Sequence, residues 1–324
     1  MIGMRHILCA LASWALLGAA AAADDLPPVG KTVKLIVPFA AGGTSDILGR
    51  KLAQDLAARI GRSVIVENRT GAGGSIATEG AVRSDADGST ILLHSGAISV
   101  EPALKPGLPY DVQRDLTPVT TAVAGPFAIL VNNDLPVRNL KELIAYAKAH
   151  PGKLNYGSPG IGSSIHLTTE HLKAAAGLDI VHVPFKGASP ALVATMGNEV
   201  QVIIDPLATA KKYAESGKLR AVGLTTAMRS SLWPELETVT EAGVKGLVAA
   251  VGYGLFVPFK TPPVVVDRLN GELTELVKSP AMAAWLREQG LEPIADTPAA
   301  ARSRMATEVQ RWKKVIQANN IKAE

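Results

Sequence analysis

Two stretches pack hydrogen-bond donors tightly beside glycine: Pro38-Phe-Ala-Ala-Gly-Gly-Thr-Ser-Asp46 and Gly157-Ser-Pro-Gly-Ile-Gly-Ser-Ser-Ile-His166. Each follows an apolar run and precedes a helical pattern. A turn of that kind exposes backbone N–H groups at a helix N-terminus, where the helix dipole favours an anion. The hydroxyls of Thr44, Ser45, Ser158, Ser163 and Ser164 add donors without adding charge. Ser and Thr are also ordinary N-caps, and for a single turn that reading is sufficient. Two long turns of this composition in opposite halves of one chain point to a ligand cleft.

Reactive chemistry finds no support in the same residues. A phosphate-binding GxxxxGK[ST] loop needs a lysine, but Gly42-Gly43 runs into Thr44-Ser45-Asp46. Gly157, Gly160 and Gly162 are spaced GxxGxG, not the GxGxxG of a dinucleotide turn. Residues 187–191, GASPA, lack the closing glycine of a nucleophile elbow. His166 sits behind Ser163 and Ser164 with no acid to orient it. His166 and His171 would stand about 140° apart around a helix, and no HExxH pattern occurs. No catalytic residue, metal or cofactor is therefore expected. Asp46 reads as a first-turn acid or as an acceptor for a ligand group. Asp205, between the apolar run 202–204 and Pro206, reads as a helix N-cap or as a cleft acid. Lys186 is a solvated turn residue or faces a second ligand carboxylate, and His166 is a wall or packing residue.

These residues need a scaffold, and composition allows one. The chain has 324 residues, 47% hydrophobic and 19% charged, with a formal charge of +4. That is enough for about two domains and a sizeable core. Basic residues are scattered and aromatics make up 4%, so no nucleic-acid surface is indicated. The start has Arg5, an apolar run over 7–20 and Ala21-Ala-Ala23 before Asp24, the pattern of a secretory signal peptide over 1–23 cleaved after Ala23. The only cysteine, Cys9, falls inside it, so the mature chain carries neither disulfide nor thiol chemistry.

Strand-like runs at 33–37, 64–66, 91–93, 127–131, 154–156 and 180–183 alternate with helical patterns, predicting α/β layering with mostly parallel sheets. Leu48, Leu52, Leu56 and Ile60 mark one helix face, and Met305, Val309, Trp312 and Ile316 another. Asn139 with Glu142 predicts a capping box. Val-Pro-Phe occurs three times, at 37–39, 183–185 and 257–259, each at the end of an apolar run. Strand ends converging on one crevice are where open α/β sheets bind ligands.

Taken in order, VPFAAGGTSDILGRKLA, VIVENRTGAGGSIA, LPYDVQRDLTPV, LNYGSPGIGSSIHL, HVPFKGASPAL, GKLRAVGLTT and RWKKVIQANNI resemble the extracytoplasmic solute receptors of tripartite tricarboxylate transporters, the Bug receptors. The resemblance spans most of the mature chain. It implies a two-lobed α/β periplasmic binding protein of the type II-like, Venus flytrap kind, with lobe one at 24–123 and 251–324 and lobe two at 124–250. It implies a ligand carboxylate held by both glycine turns and bridging waters, lined by Phe39, Ala41, Gly42, Thr44 and Asp46 from lobe one. From lobe two it implies Ser158, Gly160, Ser163, Ser164, His166, Phe185 and Lys186, with Asp205 opposite. The implied partners are a small organic carboxylate and membrane transporter subunits, with the receptor a periplasmic monomer and no enzyme. The chain departs from the family pattern at Thr70, at Asn198-Glu-Val-Gln201 and at Gly252, where a tryptophan is common before Tyr253-Gly254. The last two departures would reshape the distal pocket. An exported α/β hydrolase and a ligand-sensing receptor for a membrane signalling protein are the rival readings.

Overall fold

The computed structural model describes residues 30–104, 107–230, 232–247 and 249–318; the expected signal peptide and its cleavage point lie outside them. The strands are β1 Val33–Val37, β2 Val64–Asn68, β3 Thr90–Ser95, β4 Leu116–Val131, β5 Leu154–Ser158, β6 Ile180–Pro184, β7 Val202–Pro206, β8 Arg220–Leu224, β9 Ala250–Pro258 and β10 Glu292–Pro293. The longer helices are α1 Thr44–Ile60, α2 Ser75–Val82, α3 Leu140–Ala149, α4 Ser164–Ala176, α5 Ala188–Met196, α6 Leu207–Glu215, α7 Pro263–Lys278, α8 Pro280–Glu288 and α9 Pro298–Ala318.

Hydrogen bonding links the strands in the order β2-β1-β3-β9-β4-β7-β5-β6, with β8 and β10 joined to β4. Two groups are parallel, β2-β1-β3 and β7-β5-β6. The expectation of mostly parallel pairing needs correction, because β4 and β9 run antiparallel to each other and to their flanking strands. A parallel neighbour requires a crossover of a dozen or more residues, usually helical. β8 and β9 both run antiparallel to β4, and the described residues of the link between them, 225–230 and 232–247, hold turns and bridges.

β4 is the element that joins the two groups. Residues 116–126 pair with β9, and Phe127–Val131 pair with β7 and β8. The strand therefore starts well before the run at 127–131 that composition picks out, and it changes partners where that run begins.

The helices form where the apolar spacing puts them. Leu48, Leu52 and Leu56 of α1 are buried, as are Met305, Val309, Trp312 and Ile316 of α9. Each fully buried aliphatic side chain contributes about 1.5–3 kcal/mol. Asn139 caps α3 by accepting the Glu142 N–H at 2.9 Å. Glu142 reaches back to the Arg138 N–H at 2.7 Å, one residue earlier than a capping box would have it.

Candidate ligand site

The β1–α1 turn is held in shape by Asp46. Its carboxylate accepts the Gly42 N–H at 2.9 Å, Arg50 Nε at 3.0 Å and Asn68 Nδ2 at 3.0 Å, and a second Arg50 nitrogen lies 2.9 Å away. Burial opposes its ionisation, but the hydrogen bonds from Arg50, Gly42 and Asn68 outweigh that and hold its pKa below the ordinary value. Asp46 braces the turn and does not line the cavity above it. Ala41 and Gly42 are exposed on the outer side, and Ser189 Oγ at the start of α5 donates to the Ala41 carbonyl at 3.2 Å. Thr44 and Ser45, by contrast, are buried and face inward.

The β5–α4 turn is held by neutral groups. Ser158 Oγ accepts the Gly160 N–H at 3.1 Å and lies 2.6 Å from His182 Nε2. His182 stacks on Tyr156 with ring centroids 4.8 Å apart, and His166 lies 4.2 Å from it. Burial first, and then the neighbouring His166, lower the His182 pKa to about 3, so it is neutral at physiological pH. Ser163 caps α4 by accepting the His166 N–H at 3.2 Å, and His166 Nδ1 accepts the Gly162 N–H at 3.2 Å.

The turns meet at a cavity of about 40 Å³. Its polar lining consists of Thr44, Ser45, Ser95, Ser163, Ser164, Tyr253 and Asp205; Phe39, Phe127, Pro159, Ile165 and Val251 supply apolar walls. None of the lining residues is Lys, Arg or His. Hydroxyl contacts tie each turn to a neighbouring element: Thr44 Oγ1 is 2.8 Å from Thr209 Oγ1 of α6, and Ser164 Oγ donates to Ser95 Oγ at the end of β3 at 3.1 Å.

Asp205 departs from the N-cap reading. Pro206 occupies the N-cap position of α6, and neither Asp205 oxygen has a hydrogen-bond partner among the described residues. Its carboxyl is fully buried at the end of β7, and burial pushes its pKa well above the ordinary value. Beside it the Tyr253 hydroxyl is raised, first by burial and then by the Asp205 charge, while Ser45 and Thr44 hydrogen-bond to it and pull the other way.

Of the residues expected at the cleft, Phe39, Thr44, Ser163, Ser164 and Asp205 line the cavity. Ala41, Gly42, Asp46, Ser158, Gly160, His166, Phe185 and Lys186 lie outside its lining. Several of these are the scaffold for the lining residues, and Lys186 is exposed. Among the Val-Pro-Phe sequences, Phe39 reaches the cavity, Phe185 stands beside Gly160, and Phe259 is 53% exposed, bonded through its N–H to Asp115. Sequence reasoning misses Ser95, Phe127, Val251 and Tyr253. Ser95 and Tyr253 are paired neighbours on β3 and β9, a juxtaposition with no local signal.

A family model described as the tripartite tricarboxylate transporter family receptor matches residues 48–321. The protein BugT of Bordetella pertussis is 34% identical over 308 residues, covering 94% of each chain. A solved R. palustris protein with adipate superposes with a TM-score of 0.87 at 34% identity, over 90% of this chain and 98% of that one. MatC from Rhodopseudomonas palustris, solved with bound malate, gives 0.85 at 29% identity, over 89% and 99%. The fold is accordingly that of the two-lobed α/β binding proteins.

Proposed function

This chain belongs to the tripartite tricarboxylate transporter receptor family, and from that premise we propose that it cradles one carboxylate of its ligand between the β1–α1 and β5–α4 turns. The observation that carries this reading is the cavity itself. Two strand-to-helix turns from opposite ends of the sheet order present hydroxyls to one shared cavity that no cationic side chain lines. An anion there is met by O–H and N–H donors and helix dipoles. Relatives solved with adipate and malate fit the same class of ligand.

In this reading Thr44, Ser45, Ser163 and Ser164 donate to the carboxylate. Asp205 and Tyr253 line the same cavity beside the carboxylate. Gly42, Asp46, Ser158, Gly160 and His166 hold the turns in register, and Lys186 takes no part. Lobe one comprises 24–123 and 251–324 and lobe two 124–250, with the ligand favouring the closed arrangement. The chain is exported with cleavage after Ala23, acts as a periplasmic monomer and hands its ligand to membrane transporter subunits. It performs no chemistry on that ligand. The close Ser158–His182 pair is no nucleophile: Ser158 is fully buried and outside the cavity lining.

Thermal shift and calorimetry with a panel of mono- and dicarboxylates test this. Ligand binding to the folded state alone stabilises by RT ln(1 + [L]/Kd), so at least one carboxylate raises Tm. Thr44→Ala and Ser163→Ala each weaken it by about 1.5–3 kcal/mol, the range for a hydrogen bond to a charged group. Stabilisation by neutral sugars and by no carboxylate would overturn the reading. Sequencing the N-terminus of periplasmic material should give Asp24.

A further inference from the structure

A second and larger cavity, about 320 Å³, adjoins the first. Ser95, Ser164 and Val251 belong to the walls of both. The Ser164–Ser95 hydrogen bond, 3.1 Å long, stands at the partition beside Val251 and joins two hydroxyls that can rotate. β9 alternates between the two spaces as a strand must: Tyr253 faces the small cavity, Gly252 and Gly254 the large one.

Gly252 is the key position. Its backbone is outside the positive-φ region, and a Cβ built there would meet nothing within 4 Å. Nothing local therefore requires glycine, and the missing side chain leaves the space open. Gly254 differs: a Cβ there would come within 2.9 Å of the Phe256 ring.

The wall chemistry favours an apolar occupant. Phe256, Met305, Trp312, Ile98 and Ile294 face the cavity. The cations at its edge already have acidic partners: Arg304 bonds Asp296 at 3.2 Å, and Arg311 bonds Glu308 at 3.4 Å. Arg311 also lies over the Trp312 ring, 5.5 Å from its centroid. A second ligand carboxylate would compete with those pairs, whereas an aromatic ring would displace nothing charged. A cavity of about 150 Å³ suffices for benzene, so the space here holds a ring with a short linker.

We infer that this cavity is the tail compartment of the ligand site, and that the ligand is an aryl- or similarly bulky alkyl-carboxylate. The inference rests on the carboxylate reading above. Its head lies in the cradle, and its tail passes the Ser95–Ser164 pair to lie against Phe256, Met305 and Trp312.

Calorimetry with 3-phenylpropionate, propionate and succinate decides it. The native protein should bind 3-phenylpropionate at least about tenfold more tightly than propionate, the gain expected from burying a ring. Gly252→Trp should remove most of that preference and leave propionate affinity within about threefold, while Gly252→Ala keeps the preference, since the tryptophan fills the compartment and the methyl does not. Equal affinity for propionate and 3-phenylpropionate, with carboxylates still bound, overturns the tail compartment and spares the cradle. Failure of every carboxylate overturns both. Should the tryptophan variant bind nothing, fluorescence decides. 3-(4-Nitrophenyl)propionate should quench the native protein and lose most of that quenching in Trp312→Phe; equal quenching in both places the ring elsewhere and overturns the inference.

Discussion

The β1–α1 and β5–α4 turns share a composition and reach the same cavity, yet they are stiffened by opposite chemistry. The first is organised by an ionised carboxylate, Asp46, with Arg50, Asn68 and the Gly42 N–H gathered around it. The second is organised by uncharged groups, Ser158 against His182 and His166 against the Gly162 N–H. In both, the residue types most suggestive of ligand chemistry serve as braces, and plainer hydroxyls beside them line the cavity. A charged brace works near the surface, where Arg50 remains half exposed. Within the Tyr156–His166–His182 stack a charge would meet an unfavourable burial penalty, and neutral hydrogen bonds avoid it.

The largest expected effect separates the turns by their glycines. Gly42 and Gly160 both have positive φ, +86° and +130°. Valine at either position introduces backbone strain of about 1–3 kcal/mol. A Cβ at Gly42 would lie 3.2 Å from Ser189 Oγ, a side-chain end that can rotate away, whereas one at Gly160 would be in ordinary contact, at 3.4 Å, with the backbone of Gly73 and Phe185, which cannot yield to the γ methyls of valine beyond it. Gly160→Val should therefore add overpacking of about 1–3 kcal/mol and weaken ligand binding more than Gly42→Val. Equal calorimetric losses would erase this difference between the turns.

Next comes the charged brace. Asp46→Ala removes a carboxylate with three hydrogen-bond donors and should destabilise the protein by about 1.5–3 kcal/mol in urea unfolding at neutral pH. Because the Asp46 pKa is lowered in the fold, its contribution is present above the unfolded value of 3.8 and is lost as pH falls below it. A variant as stable as the native chain at pH 7 would show that the network is decoration.

Asp205 should do the reverse. Its folded pKa is raised, so the carboxyl destabilises the ligand-free protein increasingly as pH rises above 3.8. Asp205→Asn should then stabilise by about 1–3 kcal/mol at pH 8, with the gain disappearing near pH 3.5, while ligand affinity falls. Stabilisation that does not change with pH would mean that the Asp205 pKa is not raised in the fold.

Much of this was legible in the sequence. The four-residue spacing of Leu48, Leu52 and Leu56, and the three- and four-residue spacing of Met305, Val309, Trp312 and Ile316, place helix faces because burial follows helical periodicity. The Gly-Ser-Thr clusters locate both turns because those residues form strand-to-helix turns. What was not legible depends on register between distant strands. Tyr253 reaches the cavity beside Ser95 because β9 pairs antiparallel with β3, and Asp205 reaches it because β7 pairs with β4. The division of labour inside each turn was equally hidden: whether Ser158 or Ser163 faces the cavity depends on His182, donated by a different strand.

That dependence on His182 gives the smallest effect and the most discriminating one. Ser158→Ala removes a neutral pair and should destabilise by about 0.5–1.5 kcal/mol, less than the loss at Asp46. The pH signature separates the braces more sharply than the size. His182 has its pKa lowered from 6.5 to about 3 in the fold. Below pH 6.5 the unfolded chain takes up a proton that the native turn refuses, so stability falls as pH drops from 6.5 toward 3. The Asp46 contribution is untouched over most of that range and is lost only below 3.8. Urea unfolding of the native protein, Asp46→Asn and His182→Asn between pH 7 and 3.5 should show the histidine variant losing less stability on acidification than the native chain, with the aspartate variant tracking the native slope down to about pH 4. Parallel curves for native and His182→Asn would mean that the histidine is not held neutral, and the contrast between a charged and an uncharged turn would collapse.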